Sequence, residues 1–307
     1  MLDWARIHFY LKLSRPILWL GVLPYYPFPL GGRLDLLATC RFWLGLLYFT
    51  FPVSIMTFGI NDMADTDVDK YNPSKMVQYY GNQATESELL GLWKVILVSN
   101  MIPLCIISIT TADWISFPMY FAMALSLNIL YKLKPFALAR KAPWDLLFAP
   151  AGFLVVVSFA CRLHQVPQPN TGPCLFYISS ALTSHMLAEL SDVDYDAPYG
   201  KRTTAVVIGK TYTCVFIGAL ILVQFLTSVR SDTKSVLLTP LANPFMAMVH
   251  CGGDVFNLLP YVYRSLISTS QSSKPWESSR SFLPIMYIRY LVRLCFVAYA
   301  FINGVLV

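Results

Sequence analysis

Residues 61–69 read N-D-M-A-D-T-D-V-D and follow directly on an apolar run at 42–60. A second acidic stretch, D-V-D-Y-D-A-P-Y-G at 192–200, also ends an apolar run. Carboxylates beside a hydrophobic segment are costly unless they are paired or hold a cation. If the first helix continues through its acidic stretch, Asp62, Asp65 and Asp69 fall at i, i+3 and i+7 on one face, with Asn61 beside them. Asp67 then points elsewhere. In the second stretch Asp192 and Asp196 are i, i+4 neighbours, and Asp194 lies off their face. Like charges at that spacing repel, and a divalent cation reverses the sign of the term. Mg2+ takes oxygen ligands, few of them from protein, and bridges carboxylates to substrate phosphates. One such motif reads equally well as an acidic helix cap. Two at matching helix ends point to clusters that face each other and hold Mg2+ on one diphosphate, with Asp62, Asp65, Asp69, Asp192 and Asp196 as its ligands.

A diphosphate also needs cations from the protein, because lysine and arginine pair well with phosphate oxygens. Lys75 follows the first motif, Lys132, Lys134 and Arg140 lie near 131–141, and Lys201 and Arg202 follow the second. Of these, Lys75, Lys132, Lys134, Lys201 and Arg202 are expected to neutralise the leaving group, with Asn61 as a further ligand or orienter. His185 and Glu189, also i, i+4, extend a polar stripe into the second motif. That histidine suits a metal ligand or a base, and equally a satisfied group facing a bundle interior.

The elements that must position these groups are membrane helices. The 307 residues are 56% hydrophobic and only 13% charged, against roughly 25% charged in soluble domains. A spanning helix needs about 20 mostly apolar residues. Nine candidates run at 17–30, 42–60, 89–110, 117–130, 146–161, 174–190, 211–229, 237–263 and 282–306. The first is rich in proline (Pro24, Pro27, Pro29) and is expected to begin before Arg15. The fold class is thus all-α, a polytopic bundle of nine transmembrane helices forming one domain over 1–307. Nine spans place both acidic motifs on the same face. Most loop lysines and arginines share that face, so the positive-inside rule makes it cytosolic. In a eukaryotic cell the endoplasmic reticulum would be the expected membrane. No cleavable signal is expected from the N-terminal residues.

Several other chemistries find no pattern. There is no P-loop, dinucleotide fingerprint or EF-hand. The seven cysteines are scattered and suit small packing residues better than zinc or disulfides. The net charge of +6 is spread over many loops instead of one stripe, which excludes a nucleic-acid surface. Protein partners are not legible.

N-D-x-x-D-x-x-x-D at Asn61, Asp62, Asp65 and Asp69 resembles the first signature of the UbiA superfamily of intramembrane prenyltransferases. D-x-x-x-D-x-x-x-G-K-R-T at Asp192, Asp196 and Gly200 to Thr203 resembles the second. Ser14-Arg15-Pro16 and Tyr131 are similar to further family positions, and Tyr131 joins the expected substrate-binding set on that ground. The resemblance implies nine transmembrane helices and Mg2+-dependent ionisation of an allylic isoprenyl diphosphate, with its tail in a lipid-facing apolar chamber. After the first motif the chain has Asn72-Pro73-Ser74-Lys75, where aromatic-substrate members carry an Arg-Pro pair. That segment resembles the carotenoid elongases and the fungal UbiA-type terpene cyclases of the bergamotene-synthase type. The expectation is a sesquiterpene-synthase-type cyclase acting on farnesyl diphosphate, alternatively a prenyltransferase with an aromatic or isoprenoid acceptor. A cyclase needs a dry aromatic chamber, for which Phe51, Phe58, Phe148 and Phe153 are candidates. A transporter or scaffold that lost its chemistry is disfavoured by the cost of retaining carboxylates near lipid.

The topology yields a first test. In a background free of the native cysteines, Ser74→Cys should react with an impermeant thiol reagent from the cytosolic side. Reaction only from the opposite side would overturn the orientation.

Overall fold

The computed structural model describes residues 4–19, 21, 25–30, 33–69, 84–229, 251–255, 258–259, 261–262 and 291. Among them the chain is helical and forms no strand. Between residues 4 and 229 the described α-helices are, in order, α1 (Trp4–Leu13), α2 (Pro16–Trp19), α3 (Cys40–Thr50), α4 (Pro52–Asp69), α5 (Glu86–Leu89), α6 (Leu92–Thr111), α7 (Ser116–Lys132), α8 (Trp144–His164), α9 (Thr171–Asp196) and α10 (Thr204–Val229). Among the described residues four helical stretches are long and apolar enough to cross a membrane, Cys40–Thr66, Ser87–Thr111, Trp144–His164 and Thr204–Thr227. The protein is an integral membrane protein built as a helical bundle.

The expected first span needs correction. Its described residues hold the short α2, a turn and a 3-10 turn, Phe28–Leu30, instead of one membrane helix. Pro27 and Pro29 supply no N–H to a helical ladder, which disfavours a helix there. The N-terminal helix is α1, before Arg15. The span expected at 42–60 is divided between α3 and α4, those expected at 89–110, 117–130, 146–161 and 174–190 fall on α6, α7, α8 and α9, and that at 211–229 begins earlier, at Thr204. The span at 237–263 lies largely outside the described residues, and that at 282–306 almost wholly so.

Packing follows from the apolar stripes. Helix α9 lies between α8 and α10, α8 also packs on α7, and α4 is held by α1, α3, α6 and α7. An aromatic cluster fills the far half of the bundle. Phe159 stacks on Tyr48 with ring centres 5.4 Å apart and meets Phe49 and Phe117 edge-on at 4.8 and 5.0 Å. Offset and edge-on pairs of this kind add about 0.5–1.5 kcal/mol each beyond the area they bury. Polar side chains also tie this half together. Tyr26 donates to the Phe42 carbonyl at 2.9 Å, and its oxygen lies 3.0 Å from His164 Nε2. Arg162 meets Asp113 at 2.6 Å and ties α8 to the α6–α7 turn.

Helix α3 approaches the Tyr26 ring so closely that only glycine fits at position 45. A Cβ there would lie 2.1 Å from the Tyr26 hydroxyl and 2.7 Å from a Leu163 methyl. Gly45→Ala should therefore lower stability by about 1–3 kcal/mol through overpacking. The readout is the thermal unfolding midpoint in detergent, and an unchanged midpoint would mean that Tyr26 yields freely.

Candidate functional site

Helix α4 does continue through the first acidic stretch to Asp69, and α9 runs through the second to Asp196. Both motifs thus sit at helix C-termini, where the macrodipole is negative and added carboxylates are unfavourable. The structure answers with buried cations. Asp62, 3% exposed, receives the Arg15 guanidinium at 2.6 Å, and that guanidinium also lies 4.6 Å above the Phe58 ring. Asp65 is bound by Arg140, whose Nη2 also donates to the Ala64 carbonyl at 3.0 Å. Lys201 lies 3.6 Å from Asp65 and 3.0 Å from Asp196. One ammonium therefore joins the first motif to the second, across 131 residues of sequence (196 − 65).

Local backbone chemistry sets these cations in place. Arg15 occupies the left-handed region at φ 49, between α1 and α2. This is a sparsely populated conformation for a non-glycine residue. The Trp19 indole, donating to the Ser14 carbonyl at 3.0 Å, and the ion pair to Asp62 hold it there. Gly200, at φ 73, lets the chain reverse after the 3-10 turn Ala197–Tyr199, so that the Lys201 amide donates to the Asp196 carbonyl at 3.2 Å. Two further backbone bonds zip this loop to the one between α7 and α8. Ala142 donates to the Arg202 carbonyl at 2.8 Å, and Arg202 donates to the Arg140 carbonyl at 3.1 Å. Arg140 and Lys201 are thereby presented by two loops locked to each other.

The N-terminus of α10 is anchored by carboxylates from two other helices. Asp145 of α8 accepts from the Thr204 amide and, at 2.7 Å, from its hydroxyl. Glu189 Oε2 of α9 accepts from the Ala205 amide at 3.2 Å. Acidic groups at a helix N-terminus complement its dipole. Donor atoms of Asp145, His185 and Glu189 lie within 4.8 Å of one another, a spacing that a cation could use. Both carboxylates already serve α10, however, and Glu189 Oε1 faces His185 Nε2 at 2.9 Å.

The expected site residues divide accordingly. Asp62, Asp65, Asp196 and Lys201 come together in the ion-pair set, and the half-buried Asp192 adds its charge at Lys201. Asn61 is half-buried on α4 beside Asp62. Lys132 stands 4.8 Å over the Tyr131 ring, within electrostatic reach of Asp65, and the Tyr131 hydroxyl lies 3.1 Å from His185 Nε2. Lys134 and Arg202 are exposed, neither makes an ion pair among the described residues, and Arg202 contributes through its backbone. Asp67 and Asp69 lie on α4 with undescribed side chains, and Lys75 lies outside the described residues. The off-face assignment of Asp194 holds, since it is exposed and pairs with Lys210 at 2.7 Å. Of the aromatic candidates, Phe58 lies under Arg15, Phe153 stacks on Tyr25 at 4.4 Å, Phe51 meets Trp19, and Phe148 is half-buried. Arg15, Arg140 and Asp145 carry structural weight that the sequence did not assign to them. The available signals were the position of Arg15 before a proline and of Arg140 in a basic loop.

Burial opposes the charge on Lys201, but Asp65, Asp196 and Asp192 together outweigh it and hold its pKa above the ordinary 10.5. A folded value above the unfolded one gives stability that is fully present below pH 10.5 and lost only as pH rises through the higher folded value. The ammonium is therefore charged throughout the physiological range.

No family model matches the chain. Among curated proteins it is 26% identical over 216 residues to a lycopene elongase/hydratase of Haloarcula japonica, covering 67% of this chain and 69% of that one. It is 25% identical over 281 residues to a lycopene elongase/hydratase of Corynebacterium glutamicum, covering 89% and 91%. The fold is UbiA-like. A UbiA homologue of Archaeoglobus fulgidus, solved with GPP and Mg2+, superposes with a TM-score of 0.60 at 18% identity, covering 94% of this chain and 99% of that one. A digeranylgeranylglyceryl phosphate synthase gives 0.53 at 16%, covering 97% and 99%. The sequence relatives carry the elongase/hydratase name, and the terpene-cyclase branch gains no support from them.

The buried pairs generate a stability test. Arg15→Met leaves the Asp62 carboxylate without its guanidinium and should cost about 3 kcal/mol. Adding Asp62→Leu should recover most of the loss, read as thermal unfolding in detergent without divalent ions. Equal losses in the single and double variants would remove the pair from the account.

Proposed function

We propose that the protein is a UbiA-type prenyltransferase that ionises an allylic isoprenyl diphosphate and passes the prenyl group to an isoprenoid acceptor. The observation that carries this is Lys201 held between Asp65 and Asp196, which sets the two acidic motifs over one end of the bundle. The UbiA-like fold and the lycopene elongase/hydratase relatives support it. They favour transfer to an acceptor over the self-cyclisation suggested by the segment after the first motif.

Mg2+ suits the residues present. Asp62, Asp65, Asp192 and Asp196 offer hard carboxylate oxygens at two adjoining helix ends, and such ions characteristically bridge carboxylates to phosphates. Asp69 is the further ligand expected from the sequence. When bound, the metal would offset charge on the departing diphosphate. The chain's own part is to bind and orient. Arg15, Arg140 and Lys201 are cations already desolvated beside the carboxylates, and a diphosphate would compete for them. Lys132 and the expected Lys75 would add charge as the C–O bond lengthens. Preorganised charges of this kind act on the transition state without reorganising. The prenyl tail would lie along the apolar bundle, sheltered from water that would quench a carbocation. We place the motif-bearing face toward the cytosol on loop charge.

Purified protein given dimethylallyl diphosphate, Mg2+ and lycopene should release diphosphate and form a prenylated carotenoid. Asp65→Ala and Asp192→Ala should each lower turnover by at least about 10²-fold, since each removes charge stabilisation in the transition state. Chelating Mg2+ should do the same. Full activity in either variant would remove the metal role. A volatile hydrocarbon formed from farnesyl diphosphate alone would favour the cyclase.

A further inference from the structure

Beside the acidic motifs lies a buried group that diphosphate binding does not use. Glu189 Oε1 is 2.9 Å from His185 Nε2, and the Tyr131 hydroxyl is 3.1 Å from the same nitrogen. The His185 and Glu189 side chains are 19% and 7% exposed. One ring nitrogen carries either a hydrogen or a lone pair, so it cannot serve both neighbours fully. Unprotonated, Nε2 accepts the Tyr131 O–H but faces a carboxylate oxygen, lone pair against lone pair. Carrying a hydrogen, it donates to the Glu189 carboxylate, and with both ring nitrogens protonated the two form an ion pair.

Two further observations narrow the role. Both Asp145 oxygens and Glu189 Oε2 are committed to Thr204 and Ala205, which leaves only Glu189 Oε1 for the histidine. That commitment favours proton chemistry over metal binding. Tyr131 also lies under the Lys132 ammonium, 4.8 Å from its ring, and within electrostatic reach of Asp65.

We infer that Tyr131, His185 and Glu189 form a proton-accepting relay that completes prenyl transfer, an inference that rests on the reading of an isoprenoid acceptor above. The C–O bond of the allylic diphosphate breaks, and the diphosphate leaves with the electron pair. The π electrons of a trisubstituted alkene in the acceptor form the new C–C bond and leave a tertiary cation. An adjacent C–H bond then breaks, and its electrons become the new C=C bond. The proton passes to the Tyr131 oxygen as the phenol's own proton moves to His185 Nε2. The positive charge ends on the imidazolium, where the Glu189 carboxylate offsets it.

The test gives purified protein dimethylallyl diphosphate, Mg2+ and lycopene in detergent micelles, and reads released diphosphate and prenylated carotenoid separately. In His185→Gln and Tyr131→Phe, the readout is the partition of the transferred prenyl group between deprotonated product and alcohol, taken per diphosphate released. The deprotonated prenylated product should fall by roughly 10²-fold, the scale of a lost general base, with water-quenched alcohol taking its share. Tyr131→Phe removes a single oxygen and decides the matter if His185→Gln is unstable. Wild-type partition between the products overturns the relay. So does equal loss of release and product in variants whose unfolding midpoints match wild type. If the wild-type protein releases no diphosphate or leaves lycopene unchanged, the prenyltransferase reading itself fails and takes the relay with it.

Discussion

Carboxylates at the C-terminal ends of two helices are the constraint on which this structure turns. Both the helix dipole and the neighbouring apolar surface oppose them. Asp62, Asp65 and Asp196 nonetheless lie buried there, and each is met by a cation from a different segment: Arg15 from the break after α1, Arg140 from the α7–α8 loop, Lys201 from the α9–α10 loop. Removing any one partner would leave charge buried without its counterpart. The set is therefore held as a unit, and the helix ends are brought together because their charges must be.

The same loops explain why the cations are positioned rather than merely present. Backbone bonds between Arg140, Ala142 and Arg202 fasten the two loops to each other. Asp145 and Glu189 fasten the start of α10 to α8 and α9. The G-K-R-T run accordingly has four structural roles in four residues. Gly200 makes the reversal, Lys201 bridges the acidic motifs, Arg202 supplies backbone pairing, and the Thr203 hydroxyl accepts from the Val206 amide at 3.4 Å. A site built this way is rigid before substrate arrives, which is what preorganised charge stabilisation requires.

Polar contacts buried in the opposite half are between neutral groups, such as Tyr26 with the Phe42 carbonyl and His164. Aromatic packing around Phe159 dominates there, and Gly45 marks where α3 comes too close to the Tyr26 and Leu163 side chains to carry one of its own. One end of the bundle is thus organised by charge and the other by shape. The relay of Tyr131, His185 and Glu189 adjoins the charged end, where a proton released inside the apolar bundle has a desolvated acceptor.

The sequence by itself determined the all-helical, membrane-embedded class of the chain and the faces of the acidic motifs. Helical period places Asp62 with Asp65 and Asp192 with Asp196, and it sets Asp194 apart, all within a few residues of chain. It also showed two motifs at like helix ends, from which a shared ligand could be argued. The choice of counterions was not legible. Arg15 is marked only by the proline that follows it and Arg140 only by its basic loop, neither of which names a partner, while Lys134 and Arg202 are exposed. The proline-rich stretch at 17–30 was apolar enough to be read as a span, because composition does not weigh missing amide hydrogens. Only tertiary structure decided these points, since ion pairing depends on which loops are locked together across the bundle. That proximity is fixed by helix packing and backbone bonding between segments far apart in sequence, to which local period and composition are blind.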